Sequence, residues 1–416
     1  MARNATPAEI RTALRLADSL AGLCRRFGDD DAAVPALVGL LAVQLPAAPR
    51  PPHSPRPGTG VLALDWGDLD RTPEAADGDY LVIQPWEYDR IPAYRAANPG
   101  IRILMYKDVS ATVDKPHGTG LYPTGLSYSS ADQHPEWFLT DAFGNRLEWA
   151  DYPGLLPMDV GDTGYQDAWA DDVLTELQTH DWDGVMLDDT LTSLSHPTVG
   201  GLTSTQIPDD ESMREATASF LSRVGPRLKD AGYLAIPNLT VDPAAWDSVV
   251  PDWSPYVSGW ETEYFVKWGT DGEPRFEGDL WRSRLDMAAW CADHHVPLLA
   301  VTYGSAEDTE TQKYHRATWL LAWDGTTGAS VFVPEQPDAG LWQARANTDI
   351  GRPAGPRTRL ANGVYLRPYS GGIVVVNPTS ATRAVDLGGT YQRVRNHPIT
   401  SVRLAPATAV MLRRVR

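Results

Sequence analysis

Cysteine is almost missing from this chain: Cys24 and Cys291 are the two among 416 residues. A disulfide framework and a metal knuckle of paired cysteines are both excluded. Histidine is sparse as well. The nine residues include the neighbours His294 and His295 but no HxH or HxxxH pair, so no resident metal and no other cofactor is expected. Positive charge is in deficit. Thirty-six Lys and Arg stand against 54 Asp and Glu, and the net charge of −18 argues against nucleic acid or an anionic membrane as partner, because both reward basic patches. A neutral partner such as a carbohydrate fits that balance better. Phenylalanine is short too: seven Phe against 15 Trp and 16 Tyr favours rings with a flat apolar face and a polar edge, on which sugar rings stack, although large cores use the same residues.

The length leaves room for one large domain of about 250 to 300 residues and something smaller. Pro7 to Phe27 reads as an amphipathic helix, with Ile10, Leu14, Ala17, Leu20, Ala21 and Cys24 near one face. The apolar stretch Ala32 to Ala48 is interrupted by Pro35, Gln44 and Pro46 and is at the short limit of the roughly 17 to 25 residues of a bilayer span. No membrane-spanning helix is therefore expected in the mature form. The stretch resembles the apolar part of a secretory signal, yet Asp29, Asp30 and Asp31 precede it where basic residues are expected. Either it is an export signal behind a start codon placed too far upstream, or it is a cytosolic helical appendage; export to the extracellular side is preferred. Pro49 to Gly60 is a proline-rich spacer. The expected organisation is an N-terminal segment over 1–60, a main domain over 61–345 and a small β domain over 346–416.

From Val61 onward short apolar runs alternate with amphipathic stretches. VLALD (61–65), YLVIQ (80–84), IRILMY (101–106), GVMLD (184–188), YLAIP (233–237), YVSGW (256–260), VPLLAVTY (296–303) and GASVFV (328–333) read as eight strands. Helical spacing lies between them: Tyr165, Trp169, Val173 and Leu177; Met213, Ala216, Phe220 and Val224; Tyr314, Ala317 and Leu321. Gly225-Pro226 is expected to kink or split the second of these helices. Eight strands interleaved with helices favour an α/β fold of the (β/α)8 TIM-barrel type over a doubly wound sheet. A long insertion, Thr112 to Gly161, separates the third and fourth strands; a connection of that length is usually functional, and its Trp137 and Trp149 are candidates to line a cleft. After Pro334, runs such as GGIVVVNPT and ATAVMLRRV, separated by Gly, Asn and Pro, point to a small antiparallel sheet packed on the barrel.

The stretch that organises the chain is DWDGVMLDDT, Asp181 to Thr190, where a buried parallel strand ends in Asp188 and Asp189. Chemistry in such folds sits at the C-terminal strand ends. One Asp capping the next element and one solvated Asp is the plainer alternative. The other strand ends offer Asp65 and Trp66, Trp86, Lys107, Asn238, Glu261 and Glu263, and Tyr303, with Trp260 just before the sixth pair. A pocket with many acids, aromatic rings and one Lys suits glycosidic cleavage, which needs one carboxyl to protonate the leaving oxygen and another to attack or stabilise the anomeric carbon. Crowded carboxylates raise one another's pKa, so one stays protonated. Asp188 continues the strand better than Asp189, and Glu263 is preferred to the deeper Glu261 as the acid. Asp65, Trp66, Trp86, Lys107, Asn238, Trp260 and Tyr303 are the expected substrate contacts.

On these residues the chain resembles glycosidase barrels. The Gly-Val-Met-Leu-Asp ending resembles the fourth-strand Asp of the α-amylase superfamily, but that pattern wants a Glu where Asn238 stands and an Asp where Thr302-Tyr303 stands. A better match is with spherulin-4-like and polygalactosaminidase-like glycosidases, where Asp, Asn and Glu end strands four, five and six. The resemblance implies a site of Asp188, Asn238 and Glu263 or Glu261. HPEWFLTDAFGN and LLPMDVGD look like stretches of uncharacterised bacterial glycoside-hydrolase-like families. The expected activity is hydrolysis of a neutral or amino-sugar polysaccharide or oligosaccharide. Three competitors remain: a non-catalytic carbohydrate-binding barrel, a lyase forming a Schiff base at Lys107, and a metal-dependent hydrolase on Asp65, Asp188 and Asp189.

Overall fold

The computed structural model describes residues 62–64 and 78–415, apart from 270–271, 306, 335–348 and 393–396. The expected N-terminal helix, apolar stretch and spacer, together with Asp65 and Trp66, lie outside the described residues. Among the described residues no helix is long and apolar enough to cross a membrane.

Eight parallel strands follow one another around a single sheet in chain order: β1 (Leu62–Leu64), β2 (Tyr80–Ile83), β3 (Arg102–Asp108), β4 (Gly184–Leu191), β5 (Leu234–Thr240), β6 (Trp260–Thr262), β7 (Leu298–Gly304) and β8 (Ala329–Pro334). The first and last lie against each other, which brings the sheet round into a barrel. The longer helices are α1 (Ile91–Ala97), α2 (Thr163–Thr179), α3 (Asp210–Asp230), α4 (Gly278–Asp293) and α5 (Thr309–Ala322). This is the expected α/β barrel. Asp162, Asp209 and Asp308 cap the first turns of α2, α3 and α5 with their carboxylates, which satisfies backbone N–H groups that have no partner within the helix.

Strand alternation sorts the side chains into two cores. Val82, Leu104, Met186, Ile236, Leu299, Val301 and Val331 fill the barrel, while Leu81, Ile103, Met105, Val185, Leu187, Ala235 and Ala300 face the helices, where Trp169, Trp182 and Trp281 are fully buried. Above the apolar interior the inward positions turn polar. Asp108 pairs in register with Asp188 across β3 and β4, and Asn238 with Glu261 across β5 and β6, so all four belong to the polar part of the interior toward the C-terminal mouth.

Two expectations are corrected. The sixth strand begins at Trp260 rather than Tyr256: a Cβ on Gly259 would stand 2.7 Å from the Pro297 carbonyl, so glycine permits the close approach from which β6 starts. Glu261 is thereby a strand residue. Helix α3 neither splits nor stops at Gly225-Pro226 but runs on to Asp230. A Cβ on Gly225 would meet the Tyr256 carbonyl at 2.3 Å, so this glycine serves close packing rather than a break.

The last part of the described chain is a six-stranded antiparallel sheet, β9 (Thr358–Arg359), β10 (Tyr365–Tyr369), β11 (Gly372–Asn377), β12 (Arg383–Gln392), β13 (Ile399–Leu404) and β14 (Thr408–Arg414), in the order β9-β10-β11-β14-β12-β13. It docks on α5. Tyr369 Oη donates to the Leu320 carbonyl, and the Arg367 guanidinium donates to the carbonyls of Leu320, Leu321 and Trp323 at 2.6 to 3.1 Å. A cation at a helix C-terminus also answers the helix dipole.

Candidate active site

Gly184 lets β4 start tight against β5, since a Cβ there would stand 2.2 Å from the Leu234 carbonyl. Met186 and Asp188 then face inward. The register with β5 slips between Leu187 and Thr190, and Asp189 takes a left-handed backbone with φ of +51°. This irregularity lets both consecutive acids reach the mouth, where strict alternation allows one. Tyr106 Oη donates to Asp188 Oδ2, while Oδ1 accepts from Asn238 Nδ2 at 2.8 Å and from the Asp189 N–H at 2.9 Å. Burial, then the neighbouring Asp189, push Asp188 above the ordinary carboxylate value, against the pull of these donors.

Glu263 follows β6 directly. Its Oε1 accepts from Tyr303 Oη, and the Asn238 amide that donates to Asp188 also lowers the Glu263 pKa, so one amide acts on both acids. Burial and then the Asp188 charge raise Glu263 to about 7, opposed by the hydrogen bonds from Tyr303 and Asn238. It stays partly open to solvent, as an acid that must meet substrate has to. Glu261, one inward position deeper, is fully buried and neither carboxyl oxygen has a hydrogen-bond partner among the described residues. Burial, then the charges of Glu263 and Asp188, push its pKa well above the ordinary carboxylate value. Asp108 is raised in the same way by burial and by Asp189 and Asp188, although the N–H groups of Ser110 and Ala111 donate to it.

Aromatic rings rim the acids. Tyr264, also left-handed at φ +55°, lies 5.6 Å from Tyr303 and 5.8 Å from Trp268. Trp268 is 43% exposed and Tyr152, across the mouth, 51%. Burial and then the Glu263 charge lift the Tyr264 phenol to about 12. Asp189 accepts from His196 Nε2 at 3.1 Å and Ser110 Oγ at 3.4 Å, and Trp149 and Tyr152 flank the imidazole at 5.4 and 5.3 Å.

Among the expected residues, Asp188, Asp189, Asn238, Glu263 and Tyr303 converge, with Glu261 beneath them. Lys107 and Trp260 do not. Each is one residue out of step with the inward set, so each points outward into the layer between sheet and helices. Lys107 Nζ donates to Glu176 at 2.6 Å and to the Tyr122 carbonyl at 2.7 Å, with 1% of its surface exposed. That removes it as a substrate contact and as a Schiff-base amine at the mouth. Trp260 is fully buried and donates to Ser254 Oγ at 2.9 Å. Trp137 and Trp149 are buried as well and pack the insertion on itself and on its neighbours. Trp86 is half-buried and stacks on His117 at 4.2 Å.

Tyr106, Ser110, Tyr152, His196, Tyr264 and Trp268 are site residues that sequence reasoning missed. For Tyr106 a signal existed, since it shares strand parity with Asp108. The other five lie on loops or beyond strand ends, where no period applies. Among the described residues no group of three or more His, Cys, Asp or Glu is arranged to hold a metal ion.

A parallel barrel whose C-terminal mouth gathers carboxyl groups around a shared amide, rimmed by aromatic rings, defines a glycoside hydrolase. Residues 95–373, well over half the chain, match the profile of hypothetical glycosyl hydrolase family 15, and the chain belongs to that family. No curated protein matches it. Among solved structures it is similar to the glycoside hydrolase domain of PelA from Pseudomonas aeruginosa, at 14% identity over 67% of this chain and 94% of that one, with a TM-score of 0.43. It is also similar to Ega3 from Aspergillus fumigatus, solved in complex with galactosamine, at 11% identity over 70% and 95% and a TM-score of 0.41. A noncanonic maltogenic alpha-amylase, AmyB from Thermotoga neapolitana, matches at 11% identity over 86% and 99% with a TM-score of 0.47. At these scores the three say nothing about individual residues of the site.

Proposed function

We propose that this glycoside hydrolase cleaves an amino-sugar oligosaccharide or polysaccharide with retention of configuration, with Asp188 as nucleophile and Glu263 as acid and then base. One observation carries the reading: the Asn238 amide, which donates to Asp188 Oδ1 at 2.8 Å, also pulls down the pKa of Glu263, so one amide acts on both carboxyl groups. One small amide acting on both groups favours a short gap between them. Retaining glycosidases need about 5 to 5.5 Å, whereas a gap of about 6.5 Å or more leaves room for the water of an inverting enzyme.

The protonation states divide the labour. Glu263, at about 7, holds its proton at mildly acidic to neutral pH and delivers it to the glycosidic oxygen as the C1–O bond breaks. Asp188, with three donors on its two oxygens, is the carboxylate of the pair that is built to carry charge, and it attacks C1. In the second half Glu263 takes a proton from water, the water oxygen attacks C1, and Asp188 leaves. Tyr106 and Asn238 hold the nucleophile's orientation throughout. The same three donors occupy both oxygens of Asp188, which suits a carboxylate nucleophile better than a metal ligand.

The substrate class follows from charge. Asp188, Asp189, Asp151 and Glu263 act electrostatically on the Tyr152 phenol, so the mouth is acidic on both sides. Such a field favours a protonated amino sugar over a neutral one and repels a uronic acid. Tyr152 and Trp268 offer exposed faces for sugar rings. The test uses galactosamine and glucosamine oligomers together with their neutral counterparts. Asp188→Asn and Glu263→Gln are expected to lower turnover at least ~100-fold with the fold intact. Full activity in both variants would eliminate the pair, and binding without release of reducing ends by the native chain would favour a non-catalytic barrel.

A further inference from the structure

His196 stands where three pieces of chain meet. Asp189 of β4 bonds to it, and Trp149 and Tyr152 of the long insertion flank its ring. Directly after it the insertion and the loop after β4 are tied together, by the Ala150 N–H to the Pro197 carbonyl at 2.8 Å and by a β-bridge between Trp149 and Thr198. Asp189 itself has the left-handed backbone that a residue other than glycine keeps only where its surroundings hold it. Its carboxylate is held at both ends, one oxygen by His196 and the other by Ser110 Oγ. Its N–H, turned by that same backbone, donates to Asp188 Oδ1.

We propose that His196 is a positioning residue: its ion pair with Asp189 holds the left-handed turn that aims Asp188 at the anomeric carbon. This rests on Asp188 being the nucleophile. The titratable groups facing the imidazole are Asp189 and Asp188 from β4 and Asp151 and Tyr152 from the insertion. Burial alone would lower the pKa of the ring, but the bond to Asp189 and the charges of Asp189, Asp151 and Asp188 outweigh it and hold it above 6.5. The imidazolium cancels the Asp189 charge beside the nucleophile. Once the ring loses its proton, two adjacent carboxylates repel each other and the donor that anchors Asp189 weakens.

The test is a titration of the full-length chain by NMR with labelled histidine and aspartate, followed by kinetics. His196 is expected to titrate above the ordinary ~6.5, and Asp189→Asn to bring it down. His196→Phe keeps a ring between Trp149 and Tyr152 but no charge. It is expected to raise the Asp188 midpoint by about half a unit or more, as an uncompensated neighbouring carboxylate does. On whichever amino-sugar oligomer the native chain cleaves, it lowers kcat ~10-fold with KM within ~3-fold, the pattern of an interaction used in the transition state. His196→Lys, which returns a cation, recovers part of the loss. A His196 that titrates at or below its ordinary value overturns the proposal, as does an unchanged Asp188 midpoint or an unchanged kcat in His196→Phe. The titrations need no substrate, so a chain that cleaved no glycan would sink the proposed reaction and leave the ion pair measured on its own.

Discussion

Glu263 stores instability that a single substitution releases, and the size of the effect follows from its pKa. Burial and the Asp188 charge lift the group from 4.5 to about 7. The folded state therefore holds this proton more tightly than the unfolded chain. Stability tied to Glu263 is fully present below about 4.5, declines as pH rises through about 7, and is gone above it. A rise of that size corresponds to about 3 kcal/mol at ~1.4 kcal/mol per unit. Glu263→Gln keeps an oxygen to accept from Tyr303 and Asn238 but never ionises. It is expected to match the native chain at pH 4 and to exceed it by about 3 kcal/mol at pH 8, while losing turnover. Denaturant titrations of both proteins at the two pH values read this directly. A variant no more stable than the native chain at pH 8, or one equally more stable at pH 4, would refute the reasoning.

Two further substitutions test the surroundings of the pair. Asn238→Leu removes the amide that donates to Asp188 and lowers the pKa of Glu263. We expect kcat/KM to fall about 100-fold, on the scale of ~1.5 to 3 kcal/mol for each hydrogen bond to a charged group. The alkaline limb of the pH–rate profile should move above about 7, because Asn238 pulls the Glu263 value down. Lys107→Met strands the Glu176 carboxylate behind the barrel wall and should cost about 3 kcal/mol of stability, at the low end for a broken buried pair. Its kcat should stay within ~3-fold of native, since a group on the outer face touches no substrate; a selective loss of turnover would return Lys107 to the site.

The barrel was legible because parallel strands buried on both faces leave short apolar runs between helical stripes, and YLVIQ, IRILMY and GVMLD are such runs. Asp188, Asn238 and Glu263 were legible because they sit at strand ends, where apolar runs stop abruptly. Alternation, applied to Glu261 and Glu263, also implied that Trp260 faces outward, and applied to Leu104 it implied Tyr106 and Asp108 inward with Lys107 outward. His196, Tyr152, Tyr264 and Trp268 were not legible, because each reaches the mouth on irregular chain whose path depends on contacts such as Trp149 with Thr198. The left-handed backbone at Asp189 was hidden too, since it arises from a register slip with β5 rather than from a glycine.

The double displacement through Asp188 is tested most directly by trapping. A 2-deoxy-2-fluoro glycosyl fluoride slows both steps but keeps a good leaving group, so a retaining enzyme accumulates its covalent intermediate. With the native chain, mass spectrometry should find one added glycosyl unit, carried by the peptide that contains Asp188. A label on a different carboxylate, or cleavage that releases the inverted anomer with no label at all, would contradict the account.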